Sequence, residues 1–210
     1  MLALKTCLRF LCAAIAVALP ISLQAALPTE TPDVTGPSSL AGQLLIAAPE
    51  LREPIFDHAV ILLAKHSRDG ALGIIINRPA TTTPIAALLQ AFREDASGVT
   101  DRVRVFAGGP VNPAIGFVVH STDYQRPDTL DIDGRVALTA AADVLRDIGL
   151  GKGPQKSLVA FGYAGWAPAQ LDDELAHGVW LTVPEDVQLV FDDDRAKVWN
   201  DALERRKTPR

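Results

Sequence analysis

Asn77-Arg78-Pro79 puts a guanidinium at the end of an apolar run, residues 72–76. An arginine so placed can grip a carboxylate or phosphate through two parallel hydrogen bonds. The competing role for the same side chain is a loop brace or an internal salt bridge. Gly108-Gly109-Pro110 can form a turn whose backbone N–H groups cradle an anion. It has neither GxGxxG nor Walker spacing, and no Lys-Ser/Thr follows it, so a plain turn is the alternative. Gly162-Tyr163-Ala164-Gly165-Trp166 stands where a strand meets a helix, the position of a nucleophile elbow. The elbow requires G-x-S-x-G, and here no serine lies between glycines three apart. A serine-hydrolase elbow is excluded. Tyr163, Trp166 and Gln170 can instead line a pocket or pack against the sheet.

The histidines are His58, His66, His120 and His177, with no HxH or HExxH pair, so no zinc motif is visible. His120-Ser121 offers a base and a hydroxyl, but adjacent strand residues point to opposite faces. Asp173 and Glu174 lie near a helix start, where they suit the dipole. A lone carboxylate pair is thin ground for acid–base work. No complete catalytic set, metal centre or cofactor motif emerges. Asn77, Arg78, Gly108, Gly109, Tyr163 and Trp166 are the candidate ligand-binding residues, expected to line one concave face for a small anion or a protein partner.

Residues 158–184 organise the elements around them. Residues 158–161 are apolar throughout, as in a strand buried on both faces. Gly162 and Gly165 are expected to end it, Pro168 to sit in the first turn of a short helix, and 179–183 to resume as a strand. Earlier, 43–48 reads as a strand and 59–76 as a β-hairpin turning at 67–70, ended by Asn77-Arg78-Pro79. Ile85, Leu88, Leu89 and Phe92 have helical spacing. Strands follow at 103–107, 115–120 and 136–138, then a helix over 140–148 capped by Thr139. A last strand at 188–191 precedes a helix over 195–206 with Val198, Trp199, Ala202 and Leu203 inward. Mixed hairpins and crossovers define an α+β chain with a mixed sheet.

The formal charge of −5 argues against a dedicated nucleic-acid binder, which usually carries a basic face. Lys5 and Arg9 precede an apolar run at 10–19, which reads as a signal peptide over 1–26, cut near 22–27. The run falls short of the ~20 residues that span a bilayer, so no stable membrane anchor is expected. Residues 27–39 are a Pro- and Thr-rich linker, and 40–210 form one domain. Both cysteines, Cys7 and Cys12, fall in the leader, leaving the mature domain without thiols. A periplasmic or secreted protein is expected, or a cytoplasmic one if translation starts near Leu40.

GQLLIAAP at 42–49, GALGIIINRP at 70–79, FAGGPV at 106–111, GFVVHS at 116–121 and the stretch 158–184 occur in that order. Together they closely resemble the YqgE/AlgH family of uncharacterised bacterial proteins, over residues 40–203. The resemblance implies a sheet strongly bent into a pseudo-barrel with flanking helices. One branch of that family is named as a transcriptional regulator of alginate synthesis. The expected function is a non-enzymatic ligand-binding or regulatory module. A transcriptional regulator by family analogy, and a hydrolase or transferase using His120, Glu174 or Tyr163, are the alternatives.

Overall fold

The described residues form ten strands: β1 (Gln43–Ala47), β2 (Val60–Ser67), β3 (Gly70–Ile75), β4 (Pro79–Pro84), β5 (Arg102–Ala107), β6 (Val111–Ser121), β7 (Leu130–Asp131), β8 (Val136–Thr139), β9 (Ser157–Trp166) and β10 (Trp180–Pro184). The helices are α1 (Ile85–Ala91), α2 (Ala142–Gly149), α3 (Gln170–Ala176), α4 (Val187–Val190) and α5 (Val198–Lys207). This computed structural model describes residues 39–139 and 142–207. The leader expected over 1–26 and residues 27–38 of the linker lie outside the described residues.

β9 is the spine of the sheet. β6 runs antiparallel along one side of it, with Phe117 opposite Ala160 and Val119 opposite Leu158. The other side is shared between two strands. β5 lies parallel beside the first half, Val105 opposite Val159, and β3 antiparallel beside the second, Gly73 opposite Ala164. From β3 the sheet continues through β2 and β1 to β10, from β6 through β8 to β7, and β4 pairs with β5. The result is the expected α+β class: a mixed sheet, antiparallel but for one pairing, curled into a half-barrel.

The glycines do not end β9 as expected. Leu158 and Ala160 face one core and Val159 the other. Gly162, at φ +74°, shifts the alternation by one residue. Tyr163 therefore returns to the side of Leu158, while Ala164 and Trp166 turn outward. A β-carbon at Gly162 would lie 2.4 Å from the Gly109 carbonyl oxygen, so the bulge also depends on close backbone approach.

Curling brings one face of nearly every strand to a common interior. Leu44, Leu62, Ile74, Phe106, Val119 and Leu138 meet there, and Leu189, Val190, Val198 and Ala202 of α4 and α5 fill it. The concave side is thus occupied by the chain's own C-terminal helices. Two smaller cores cover the outside. Trp166, Trp180, Ile61 and Leu63 lie under Leu171 of α3 and the loop residue Phe56. Val105, Val118 and Val159 lie under Ile85 and Leu89 of α1 and Val144 and Leu145 of α2.

Three local expectations are corrected. Residues 188–191 are not a strand. Asp186 accepts the Gln188 N–H at 2.7 Å and caps the short helix α4. A four-residue apolar run suits a buried helical turn as well as a strand. Helix α3 begins at Gln170 after Ala169, which has φ +61°, so Pro168 stands outside it. Residues 79–84 form the unforeseen strand β4, whose two prolines sit at its ends, as an edge strand allows. Ile85 N–H bonds to the Asp101 carbonyl, so alternation turns Thr82 away from β5. Arg102 Nη2 donates to the Thr82 carbonyl at 2.7 Å and helps to blunt that edge.

Candidate functional site

Five of the six candidate residues stand at the junction where β3 leaves β9 and turns toward β5. Ile75 N–H donates to the Gly108 carbonyl at 2.9 Å, and Ala107 N–H to the Arg78 carbonyl at 2.9 Å. Gly108 N–H is bonded to the Phe161 carbonyl at 2.8 Å, so this donor serves the sheet. A β-carbon at Gly109 would fall 2.1 Å from the Tyr163 carbonyl carbon. Gly108 and Gly109 therefore let two backbones cross in contact. Tyr163 is half-buried, edge-on to Phe117 with ring centroids 6.1 Å apart.

Asn77 and Arg78 reach from this junction to a loop, residues 49–58. Asn77 Nδ2 donates to the His58 carbonyl at 2.9 Å, and its Oδ1 accepts Val60 N–H at 2.9 Å. Arg78 Nη2 donates to the Asp57 carbonyl and Nη1 to the Pro54 carbonyl at 3.5 Å. Within the loop, Phe56 and Asp57 N–H both bond to the Glu53 carbonyl, and Arg52 Nη1 reaches the Pro49 carbonyl at 2.6 Å. His58, at φ +56°, sets its ring edge-on to Trp199 of α5, with centroids 4.1 Å apart. Ile55 at the tip is 45% exposed, with Arg52 and Glu53 exposed beside it.

Trp166, the sixth candidate, supports the same loop from behind. It packs edge-on against Trp180 at 6.0 Å, and Trp180 packs edge-on against Phe56 at 5.5 Å. Both indole N–H groups donate to Glu174 Oε2, and Gln170 Nε2 donates to Glu174 Oε1 at 2.9 Å. Glu174 is thus an acceptor for this aromatic cluster rather than only a dipole partner.

His120 lies elsewhere, fully buried between β6 and β8. Its Nδ1 is 2.9 Å from the Ser121 carbonyl and its Nε2 2.9 Å from Thr139 Oγ1. Thr139 Oγ1 is in turn 2.8 Å from Thr129 Oγ1, which accepts Arg126 N–H. Burial pushes the imidazole pKa down, against smaller opposing effects of the Ser121 carbonyl and Asp123. Alongside, Tyr124 and Arg126 both donate to Asp147 Oδ2, at 2.7 and 2.6 Å. Burial raises the Tyr124 phenol pKa, and its hydrogen bond to Arg126 opposes that. The roles of Thr129, Thr139 and Asp147 beside His120 escaped sequence reasoning, which read Thr139 as a helix cap, because no short spacing links them. Arg78 and Tyr163 share the junction, while Glu174 and His120 each belong to a separate hydrogen-bonded group. Among the described residues, no cluster of three or more His, Cys, Asp or Glu side chains could hold a metal ion.

A half-barrel plugged by its own C-terminal helices, with a braced loop on its outer face, defines an α+β domain of a known bacterial type. The chain belongs to the AlgH-like family (DUF179), whose model matches residues 44–209. A UPF0301 protein of Methylococcus capsulatus is 41% identical over 182 residues, 87% of this chain and 98% of that one. Another, from Rhodospirillum rubrum, is 46% identical over 153 residues, 73% of this chain and 80% of that one. The solution structure of the AlgH protein from Pseudomonas aeruginosa is 33% identical and superposes with TM-score 0.67, covering 84% of this chain and 96% of that one. The crystal structure of a Corynebacterium diphtheriae protein, 24% identical, shares the fold, with TM-score 0.63 over 80% of this chain and 88% of that one.

Proposed function

We propose that this domain is a non-enzymatic binding module whose recognition element is the loop 49–58, presented to a protein partner. The observation that carries the reading is the aim of Asn77 and Arg78 at backbone carbonyls of an exposed loop. Loops displaying an apolar tip between charges are common recognition surfaces, and holding one in its bound shape lowers the entropy cost of association. Ile55 is that tip. Gly108, Gly109 and Tyr163 form the platform on which Asn77 and Arg78 stand, and Trp166 backs Phe56 through Trp180. A small anion at Arg78 would have to displace the loop carbonyls, which favours a protein partner over it. Engagement of His120, Tyr163 and Glu174 in separate groups supports binding over catalysis.

The test is recovery of partners from a host extract by the immobilised chain and by Ile55→Asp and Arg78→Ala variants, compared by quantitative mass spectrometry. A partner enriched by the parent and lost by both folded variants is the expected result. An identical set recovered by all three overturns the reading. The same proposal includes export, with residues 1–26 as a cleaved signal and the loop displayed in the periplasm or outside the cell.

A further inference from the structure

Independently of the loop, two edge strands of the curled sheet come together without a hydrogen-bonded ladder among the described residues. They are β10 and β7, at opposite ends of the strand order. A group of three charged side chains lies where these ends come together. Glu185 directly follows β10, and its side chain has no exposed surface. Asp133 and Arg135 come from the turn between β7 and β8. Arg135 Nη2 is 2.6 Å from Glu185 Oε2 and 3.0 Å from Asp133 Oδ2. Both Glu185 oxygens are buried, and apart from that ion pair neither has a hydrogen-bond partner.

The backbone holds the two carboxyl groups together. Glu185 N–H donates to the Gly42 carbonyl at 3.2 Å. A β-carbon on Gly42 would lie 2.9 Å from the Asp133 β-carbon, so Asp133 rests against the start of β1. Asp133 Oδ1 accepts the N–H groups of Arg135 and Val136, each at 3.1 Å, which fixes it as an acceptor. Two adjacent carboxylates repel, and a half-exposed guanidinium only partly offsets this. One proton on Glu185 removes the repulsion and turns one of its buried oxygens into a donor to Asp133.

We propose that a proton carried by Glu185 and donated to Asp133 closes the seam of the half-barrel, and that its loss loosens the β7–β8 hairpin from β1 and β10. Burial, then the hydrogen bond and charge of Asp133, push the Glu185 carboxyl up to about 7, against the pull of Arg135. Burial tends to raise Asp133, but hydrogen bonds from Glu185 and from the backbone N–H groups of Arg135 and Val136 bring it below its usual value. The remaining charges nearby face elsewhere. Asp186 accepts Gln188 N–H and pairs with Arg205 of α5, while Asp131 accepts Gly134 N–H. Gly42, just before β1, brings only backbone.

The sign follows from a folded value above the unfolded one. The stabilisation is complete below about 4.5, the ordinary value of the group, and is lost as pH rises through about 7. Glu185 alone then raises the unfolding equilibrium constant by up to about tenfold per pH unit between these limits.

The test uses amide hydrogen exchange on the full chain from pH 5.5 to 8.5, corrected for intrinsic rates, with β2 amides as reference. In the parent, Ile132 and Val136 should lose protection relative to β2 as pH rises from 5.5 to about 7, and level off above it. Glu185→Gln, which carries a permanent donor, should show no such loss. Asp133→Asn, which supplies the donor from the other side, should also abolish the pH dependence. If neither variant folds, the side-chain carboxyl carbon of Glu185 in the parent must titrate near neutrality. Constant hairpin protection in the parent, the same decline in a folded variant, or an ordinary Glu185 titration overturns the proposal.

Discussion

Trp166 and Trp180, fourteen residues apart, direct both indole N–H groups at one oxygen of Glu174, at 2.8 and 2.7 Å. The shared acceptor joins the end of β9, the start of β10 and α3. It also sets the ring on which Phe56 rests. Glu174→Leu leaves two largely buried donors without an acceptor and should cost about 2–4 kcal/mol. Glu174→Gln keeps a neutral acceptor and should cost about 1 kcal/mol. Urea unfolding followed by tryptophan fluorescence measures both. Equal stability of the parent and the leucine variant would show that the indoles do not depend on this carboxylate.

Gly162 combines a left-handed backbone with a neighbour 2.4 Å from any added β-carbon, whereas Gly178, at φ +70°, has nothing within 4 Å. Alanine at 178 should cost about 1–2 kcal/mol, the conformational penalty alone. Alanine at 162 carries the same penalty and must also push β9 away from Gly109. It should lose stability well beyond the 178 variant, or fail to fold. Similar midpoints for the two variants in chemical denaturation would remove the close crossing as a structural requirement.

How much of this was readable in advance depended on whether a feature was local. Continuous apolar runs marked β1, β2 and β3, because a half-barrel packed on both faces leaves little polar alternation. The glycines of 158–184 were visible, but not whether they end a strand or bulge it. That depends on Gly109, more than fifty residues away, lying against Gly162. Arg78 was legible as a strand-end guanidinium, while its partner loop was not. Glu185 carries no local sign of burial. Its environment is made by Asp133 and Gly42, which only the curl of the sheet brings near.

His120 should make acid destabilising. Its Nδ1 faces the Ser121 carbonyl and so bears the proton, leaving Nε2 to accept from the Thr139 hydroxyl. Thr139 Oγ1 can then accept from Thr129, whose own acceptor site takes Arg126 N–H. The folded imidazole has a lowered pKa, chiefly from burial, so its contribution is present above about 6.5 and lost as pH falls through the folded value. This is opposite in sign to Glu185. His120→Gln should flatten the acid side of the stability profile relative to the parent. Thr139→Val keeps shape but removes the donor and should cost about 1–3 kcal/mol. An imidazole that titrates near 6.5 by NMR would contradict the buried neutral state.

The remaining prediction concerns the compartment in which the loop is displayed. Lys5 and Arg9 ahead of the apolar run 10–19, followed by the Pro- and Thr-rich stretch 28–39, have the order of a cleavable export signal. The run is too short to hold the chain in a bilayer as a span. No described helix is long and apolar enough to cross a membrane. The expected outcome is a mature N-terminus between residues 22 and 27 in the periplasmic or secreted fraction of the native host. N-terminal sequencing of each fraction measures it. Fusion of residues 1–39 to a reporter that folds only after export gives a second reading. Lys5→Glu with Arg9→Glu should lower that reporter's signal, since the positive end orients the leader at the membrane. An intact Met1 in the cytoplasm, or a start near Leu40, would place the domain inside the cell. The partner of Ile55 would then have to be sought there.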